Sequence, residues 1–217
     1  MKMLNRMAAA AVAVAISASG AQAQVNVNYY TTGSFTGCAA GAVFTASSTS
    51  CTIGVTTLRY NFNGLVGTPD LLILTAMAPI ASTNYGSFEM LGGAAGPALQ
   101  NFAGLGFTLN VFQTNPSSGN QAVSGNVTGS VAWSEGQLLW GPVSPTSWTI
   151  GAVGYTMDVD MATSSIRINP PTQSGAANLQ GIRGTMRVVP EPSSFALMAA
   201  GFAAMAMVGR RRRNNLV

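Results

Sequence analysis

Between residues 24 and 189 the sequence carries short runs that alternate with a period of two. In "YTMDVDM" (155–161), Tyr155, Met157, Val159 and Met161 are apolar, and Thr156, Asp158 and Asp160 fall between them. "VNVNYY" (25–30) sets Val25 and Val27 against Asn26 and Asn28, and "FTLNVFQ" (107–113) sets Phe107, Leu109 and Val111 against Thr108, Asn110 and Phe112. "NVTGSVAW" (126–133) puts Val127, Val131 and Trp133 on one face, and "GIRGTMRVV" (181–189) sets Ile182, Met186 and Val188 against Arg183, Thr185 and Arg187. A period of two sends successive side chains to opposite faces of a strand, so each run can cover a core with one face only. "TIGVTTLRYNF" (52–62) and "DLLILTA" (70–76) are further strand candidates, and turn material such as "GLVGTPD", "QTNPSSGN" and "WGPVSPTS" separates the runs. The one helical candidate is "GPALQNFAG" (96–104), a turn or two long. Half-covered strands need a second sheet to bury their apolar faces. The expectation is therefore all-β: a single antiparallel β-sandwich domain, jelly-roll-like, spanning residues 24–189. No internal repeat is visible, and 217 residues leave room for one domain of ordinary size.

Charge excludes several functions. Within residues 24–189 the bases are Arg59, Arg167, Arg183 and Arg187, against the acids Asp70, Glu89, Glu135, Asp158 and Asp160, so the domain carries one net negative charge. The basic balance of the whole chain belongs to its two ends. A nucleic-acid partner would need a basic patch on the domain, and none is available. The chain has no His, and Lys2 is its only lysine. A Ser-His-Asp triad, a Cys-His pair, a His metal site and a Schiff-base lysine are thereby excluded from the domain. No catalytic residue, metal site or cofactor is assigned.

The start, "MKMLNRMAAAAVAVAISASGAQAQ", places Lys2 and Arg6 before an apolar run from Met7 to Ile16. Ala21 and Ala23 then give the small-x-small pattern of a signal peptidase site, with the cut after Ala23 and Gln24 as the new N-terminus. Residues 1–23 thus read as a secretory signal peptide that meets signal peptidase and the secretion machinery, the alternative being an uncleaved anchor. No twin arginine is present, and no Cys follows the cleavage region to mark a lipoprotein.

At the other end, Pro190, Glu191 and Pro192 precede an apolar run from Phe195 to Val208 and then Arg210, Arg211, Arg212 and Arg213. As a helix at ~1.5 Å per residue the run spans roughly 21 Å, short against a hydrocarbon core of ~30 Å. The arginines would hold the tail end in the cytoplasm and leave the domain outside. The prolines keep the segment before the helix extended.

This three-part order over residues 190–217 resembles the PEP-CTERM sorting signal of exported proteins in Gram-negative bacteria. The resemblance implies processing near the Pro-Glu-Pro by an exosortase, a membrane-embedded enzyme, with transient residence in the inner membrane before delivery to the cell surface or beyond. It also implies association with exopolysaccharide and biofilm. A plain C-terminal anchor is the alternative. The loop between the two cysteines and the "YGSF" segment (85–88) are similar to arrangements in other exported proteins with this tail, and no activity follows from them.

Cys38 and Cys51 are the only cysteines. An oxidising compartment favours a bridge between them, while two thiols without His make a poor zinc site at a spacing too long for Cys-x-x-Cys. Asp158 and Asp160 share a face if their run is a strand, and three roles are open to them: a glycosidase pair, part of a calcium site, or structural partners. With a loop at 162–165, Asp160 faces Arg167 across a hairpin and Met161 faces Ile166, which makes the structural role the favoured one. Glu135, alone beside turn signals, reads as solvent-facing. Trp133 falls on an apolar face and reads as core. Trp140 and Trp148 flank Gly141, Pro142 and Pro145, and they could stack on a sugar from a loop or lie in the core. Asn126-Val127-Thr128 matches a glycosylation sequon. The functional expectation is an exported, non-enzymatic surface or matrix protein. The alternatives are a carbohydrate-binding module, which needs Trp140 or Trp148 exposed, and a glycoside hydrolase, which needs two carboxylates converging in a cleft.

Overall fold

A computed structural model describes residues 24–75, 80–91, 99–132, 135–170 and 177–189, together with Gly201, Phe202 and Met205. The expected signal peptide with Ala21 and Ala23, the core position of Trp133, and the expected sorting residues Pro190, Glu191, Pro192 and Arg210 to Arg213 lie outside the described residues. The strands are, in chain order, β1 (Val25–Thr36), β2 (Val43–Phe44), β3 (Ser48–Ile53), β4 (Thr56–Asn61), β5 (Asp70–Leu74), β6 (Ile80–Leu91), β7 (Gln100–Asn101), β8 (Leu105–Asn115), β9 (Gly119–Ala132), β10 (Glu135–Trp140), β11 (Ser147–Ile150), β12 (Val153–Met157), β13 (Ile166–Ile168) and β14 (Ala177–Val188).

They form two antiparallel sheets. One runs β13-β10-β9-β8-β1-β5, with β7 also paired to β9, and the other runs β11-β12-β14-β6-β4-β3-β2. The all-β sandwich expected from the alternation is the observed fold. Along β1, Val27, Tyr29, Thr31, Gly33 and Phe35 point inward, and across the ladder Thr31, Gly33 and Phe35 face Val111, Leu109 and Phe107 of β8. The facing sheet contributes Leu58, Tyr60, Tyr85, Phe88, Met90, Tyr155, Ile182 and Met186, all essentially without solvent exposure. Each such apolar side chain stabilises by about 1.5–3 kcal/mol when buried.

The centre of the core is aromatic. Phe107 packs against Tyr60, Phe88 and Trp140 with ring centroids 4.9, 4.9 and 5.2 Å away. This close approach depends on Gly33. A Cβ there would lie 2.6 Å from Phe107 Cζ and from Tyr60 Cδ1, so any side chain would displace the rings. Cys38 and Cys51 form a disulfide with a Cα–Cα distance of 5.9 Å. It ties the chain just after β1, in one sheet, to β3 in the other.

Three sequence expectations change. "TIGVTTLRYNF" is not one strand: β3 ends at Ile53, which pairs with Thr56 at the start of β4, and Gly54 at φ 60° makes the tight turn between them. In "GPALQNFAG" the described part is extended rather than helical, because Gln100 and Asn101 pair with Val131 and Ser130 of β9. Finally, β12 stops at Met157, and the following turn is closed by an isolated bridge between Asp160 and Ser165. That register is two residues away from the expected one, in which Asp160 faces Arg167 and Met161 faces Ile166. Met161 therefore sits at the turn, 99% exposed, and Asp160 does not face Arg167.

Candidate functional site

β14 is flanked by β12 and β6 and delivers the chain to its C-terminal segment. Its last residue is Val188, and the Val189 amide then donates to the Ala152 carbonyl at 2.8 Å. This bond clasps the outgoing chain onto the β11–β12 turn. The N-terminal end of the domain lies nearby: Asn115 Nδ2 donates to the Asn26 carbonyl at 2.5 Å, and Gln113 Nε2 to the Ser117 and Ile150 carbonyls at 2.7 and 3.3 Å. Both ends of the described domain thus emerge on the same side of the sandwich. Within the apolar run, Gly201, Phe202 and Met205 are helical and exposed, and no helix among the described residues is long and apolar enough to cross a membrane.

A second feature is a cleft of about 590 Å³ where the edge strand β5 and its neighbour β1 face β6 and β14. Tyr29, Asp70, Ser82, Thr83, Asn84, Asp158 and Arg183 line it with polar groups, and Leu72 adds an apolar patch. At its base the Tyr29 hydroxyl lies 2.6 Å from Thr83 Oγ1, 3.0 Å from the Asn84 carbonyl and 3.3 Å from Asp70 Oδ2. Asn63 Nδ2 donates both to that hydroxyl, at 2.9 Å, and to Asp70 Oδ2, at 3.0 Å. Burial pushes the Tyr29 phenol above its ordinary pKa, and the hydrogen bond with Thr83 offsets part of the rise.

The wall formed by β6 and β14 carries a bulge. Ser87 pairs with Gly181 and Asn84 with Arg183, so Tyr85 and Gly86 together oppose Ile182. Gly86 has φ 107°, and a Cβ on it would lie 2.5 Å from both the Asn61 carbonyl oxygen and the Tyr60 hydroxyl. This accounts physically for the "YGSF" segment: Gly86 is the residue that the bulge requires. The sequence signal that could have pointed to the cleft is this glycine, a residue that marks a bulge when it falls inside a strand. Neither Asp158 nor Arg183 makes a side-chain hydrogen bond or ion pair among the described residues. Outside the cleft, Arg59 pairs with Glu89 across β4 and β6 at 3.2 Å.

Trp140 and Trp148 do not present an exposed platform for a sugar. Trp140 is the last residue of β10 and fully buried; Phe88 and Phe107 pack edge-on against it, and its Nε1 donates to the Phe107 carbonyl at 3.2 Å. Trp148, 8% exposed, stacks on Tyr155 at 5.6 Å and lies 5.8 Å from Tyr85. Strand alternation turns both rings inward, which is the core position rather than the loop position that the neighbouring Gly and Pro residues left open. Asp160 does not pair with Arg167 either. Its Oδ1 accepts from the Thr163 hydroxyl at 3.0 Å, the Thr163 amide at 3.0 Å and the Ala162 amide at 2.9 Å, and these bonds hold its carboxyl below the usual range. Arg167 Nε donates to Gln137 Oε1 instead. Among the described residues no three of His, Cys, Asp and Glu gather as a metal site would require.

Residues 188–213 match the family model of the PEP-CTERM protein-sorting motif. No curated protein and no solved structure matches the chain.

Proposed function

Because the chain carries a PEP-CTERM sorting motif, the C-terminal signal of an exported, exosortase-processed protein, we propose that residues 24–189 are the delivered product: a non-enzymatic domain of the cell surface or extracellular matrix, associated with exopolysaccharide in a biofilm. The tail serves as a transient inner-membrane anchor, removed near Pro190-Glu191-Pro192. The observation that carries this reading is the position of the motif, which begins at Val188, the last residue of β14. Nothing separates the folded sheet from the recognised segment except the Val189 clasp to Ala152. Cleavage beyond Val189 therefore removes none of the described strands and leaves both sheets intact. The non-enzymatic part of the reading is supported by the cleft itself. Asp70 and Asp158 are both solvent-exposed, whereas a glycosidase acid works from an apolar enclosure.

Replacing Pro190, Glu191 and Pro192 with alanine tests the reading. The expected outcome is an uncleaved, full-length form retained in the inner membrane, seen by immunoblotting of cell fractions. Delivery of the variant to the surface in normal amount and at processed size would oppose it.

A further inference from the structure

We propose that the cleft between β5 and the β6–β14 wall binds a neutral, hydroxyl-rich ligand, a run of saccharide units. Its volume of about 590 Å³ is that of a small-molecule site, within the usual range of about 300–1,000 Å³. Both sheets contribute to its walls, so a ligand would be gripped between two strand frameworks rather than by a loop. The decisive feature is the pattern of unused hydrogen-bonding groups. Asp158 and Arg183 have opposite charges and line one cleft, yet they form no ion pair with each other or with another described residue. A carboxylate that only accepts and a guanidinium that only donates are both satisfied by hydroxyls, which do either. The Asn84 carbonyl oxygen Oδ1 already accepts from the Gly86 amide at 3.1 Å, which leaves its NH₂ to donate. The bulge at Tyr85 and Gly86 sets Asn84 directly across from Arg183, and Ser82, exposed two residues earlier, adds a hydroxyl. Leu72, half-buried in the opposite wall, offers an apolar surface of the kind the C–H face of a sugar ring covers.

The same groups argue against other ligands. Two carboxylates against one guanidinium disfavour an anion, and Arg183 disfavours a bare cation. This inference deepens the matrix reading and rests on it only for the source of the saccharide. C-terminal processing does not involve the cleft, so the two can fail separately.

The test is calorimetric titration of the full-length protein in mild detergent with neutral cello-, isomalto- and manno-hexasaccharides, and with hexamannuronate as the anionic arm. At least one neutral probe is expected to bind in preference to the uronate. Asp158→Asn and Arg183→Gln should each weaken it by about tenfold or more, as expected for the loss of a hydrogen bond to a charged group. Ser82→Tyr, which fills the cleft from its exposed rim, should weaken it too. Asp160→Asn, outside the cleft, should bind as the unaltered chain does, and near-ultraviolet circular dichroism identifies any variant that has lost its fold. Three results would each overturn the proposal: no binding of the neutral probes at millimolar concentration, preference for the uronate, or equal binding by the folded cleft variants.

Discussion

Gly33 and the buried tyrosines show how single residues hold this sandwich. A methyl group at Gly33 must enter the 2.6 Å gap to Phe107 and Tyr60. Overpacking of this kind costs about 1–3 kcal/mol, and Gly33→Ala should lower the urea midpoint accordingly; an unchanged midpoint would mean that the rings move aside freely. Tyr60, Tyr85 and Tyr155 are buried phenols whose hydroxyls are used internally. Tyr60 donates to Thr31 Oγ1 at 2.8 Å, Tyr85 lies 3.2 and 3.3 Å from the Thr156 and Thr185 carbonyls, and Tyr155 donates to Gln113 Oε1. Burial is the largest cause raising each of their pKa values. A raised folded pKa means that the stabilisation is complete below the unfolded value of about 10 and is lost as pH rises from there toward the folded value. Tyrosinate absorbance of these residues should therefore grow in step with alkaline unfolding. Full ionisation with the near-ultraviolet dichroism intact would contradict this.

At the level of elements, the Cys38–Cys51 bridge joins the two sheets across a sequence separation of 13 residues. Closing a loop of that length stabilises by about 3 kcal/mol in the chain-entropy account. Reduction, or the pair Cys38→Ser and Cys51→Ala, should lower the unfolding free energy by that order in urea titrations, and a loss near zero would mean that the loop is already ordered by its strands. The bridge and the long strands were legible in sequence because each depends on local information: two thiols in an exported chain, and a period of two within residues 25–30, Phe107–Val111 and Ile182–Val188. The errors came where register or long-range pairing decides. A hairpin slipped by two residues moved Met161 from the expected strand to an exposed turn and gave Asp160 to Thr163 instead of Arg167. Gln100 and Asn101 looked helical until β9 offered them a ladder. Trp140 and Trp148 sit beside turn residues, but each belongs to a strand, β10 and β11, whose alternation turns its side chain inward. Apart from Gly86, the cleft left no mark in the sequence, for a related reason. Asp70, Asn84, Asp158 and Arg183 come from distant segments, and only the stacking of the sheets brings them together.

For the whole molecule, the geometry of export follows from where the chain ends leave the fold. Asn26, Asn115, Ser117, Ile150, Ala152 and Val189 form one connected side, so the strand that follows Gln24 and the strand that leads to Pro190 have their outer ends on that side. Five residues from Pro190 to Ser194 reach at most about 18 Å when extended, which would hold that side close to the membrane before processing. The central claim is that the tail is a sorting signal and not a permanent anchor. Mass spectrometry of the C-terminus, comparing surface and inner-membrane fractions from cells with a working exosortase, tests it most directly. The account requires surface material to end in the Pro-Glu-Pro region with every residue through Val189 retained. Surface material that still ends at Val217 would contradict it.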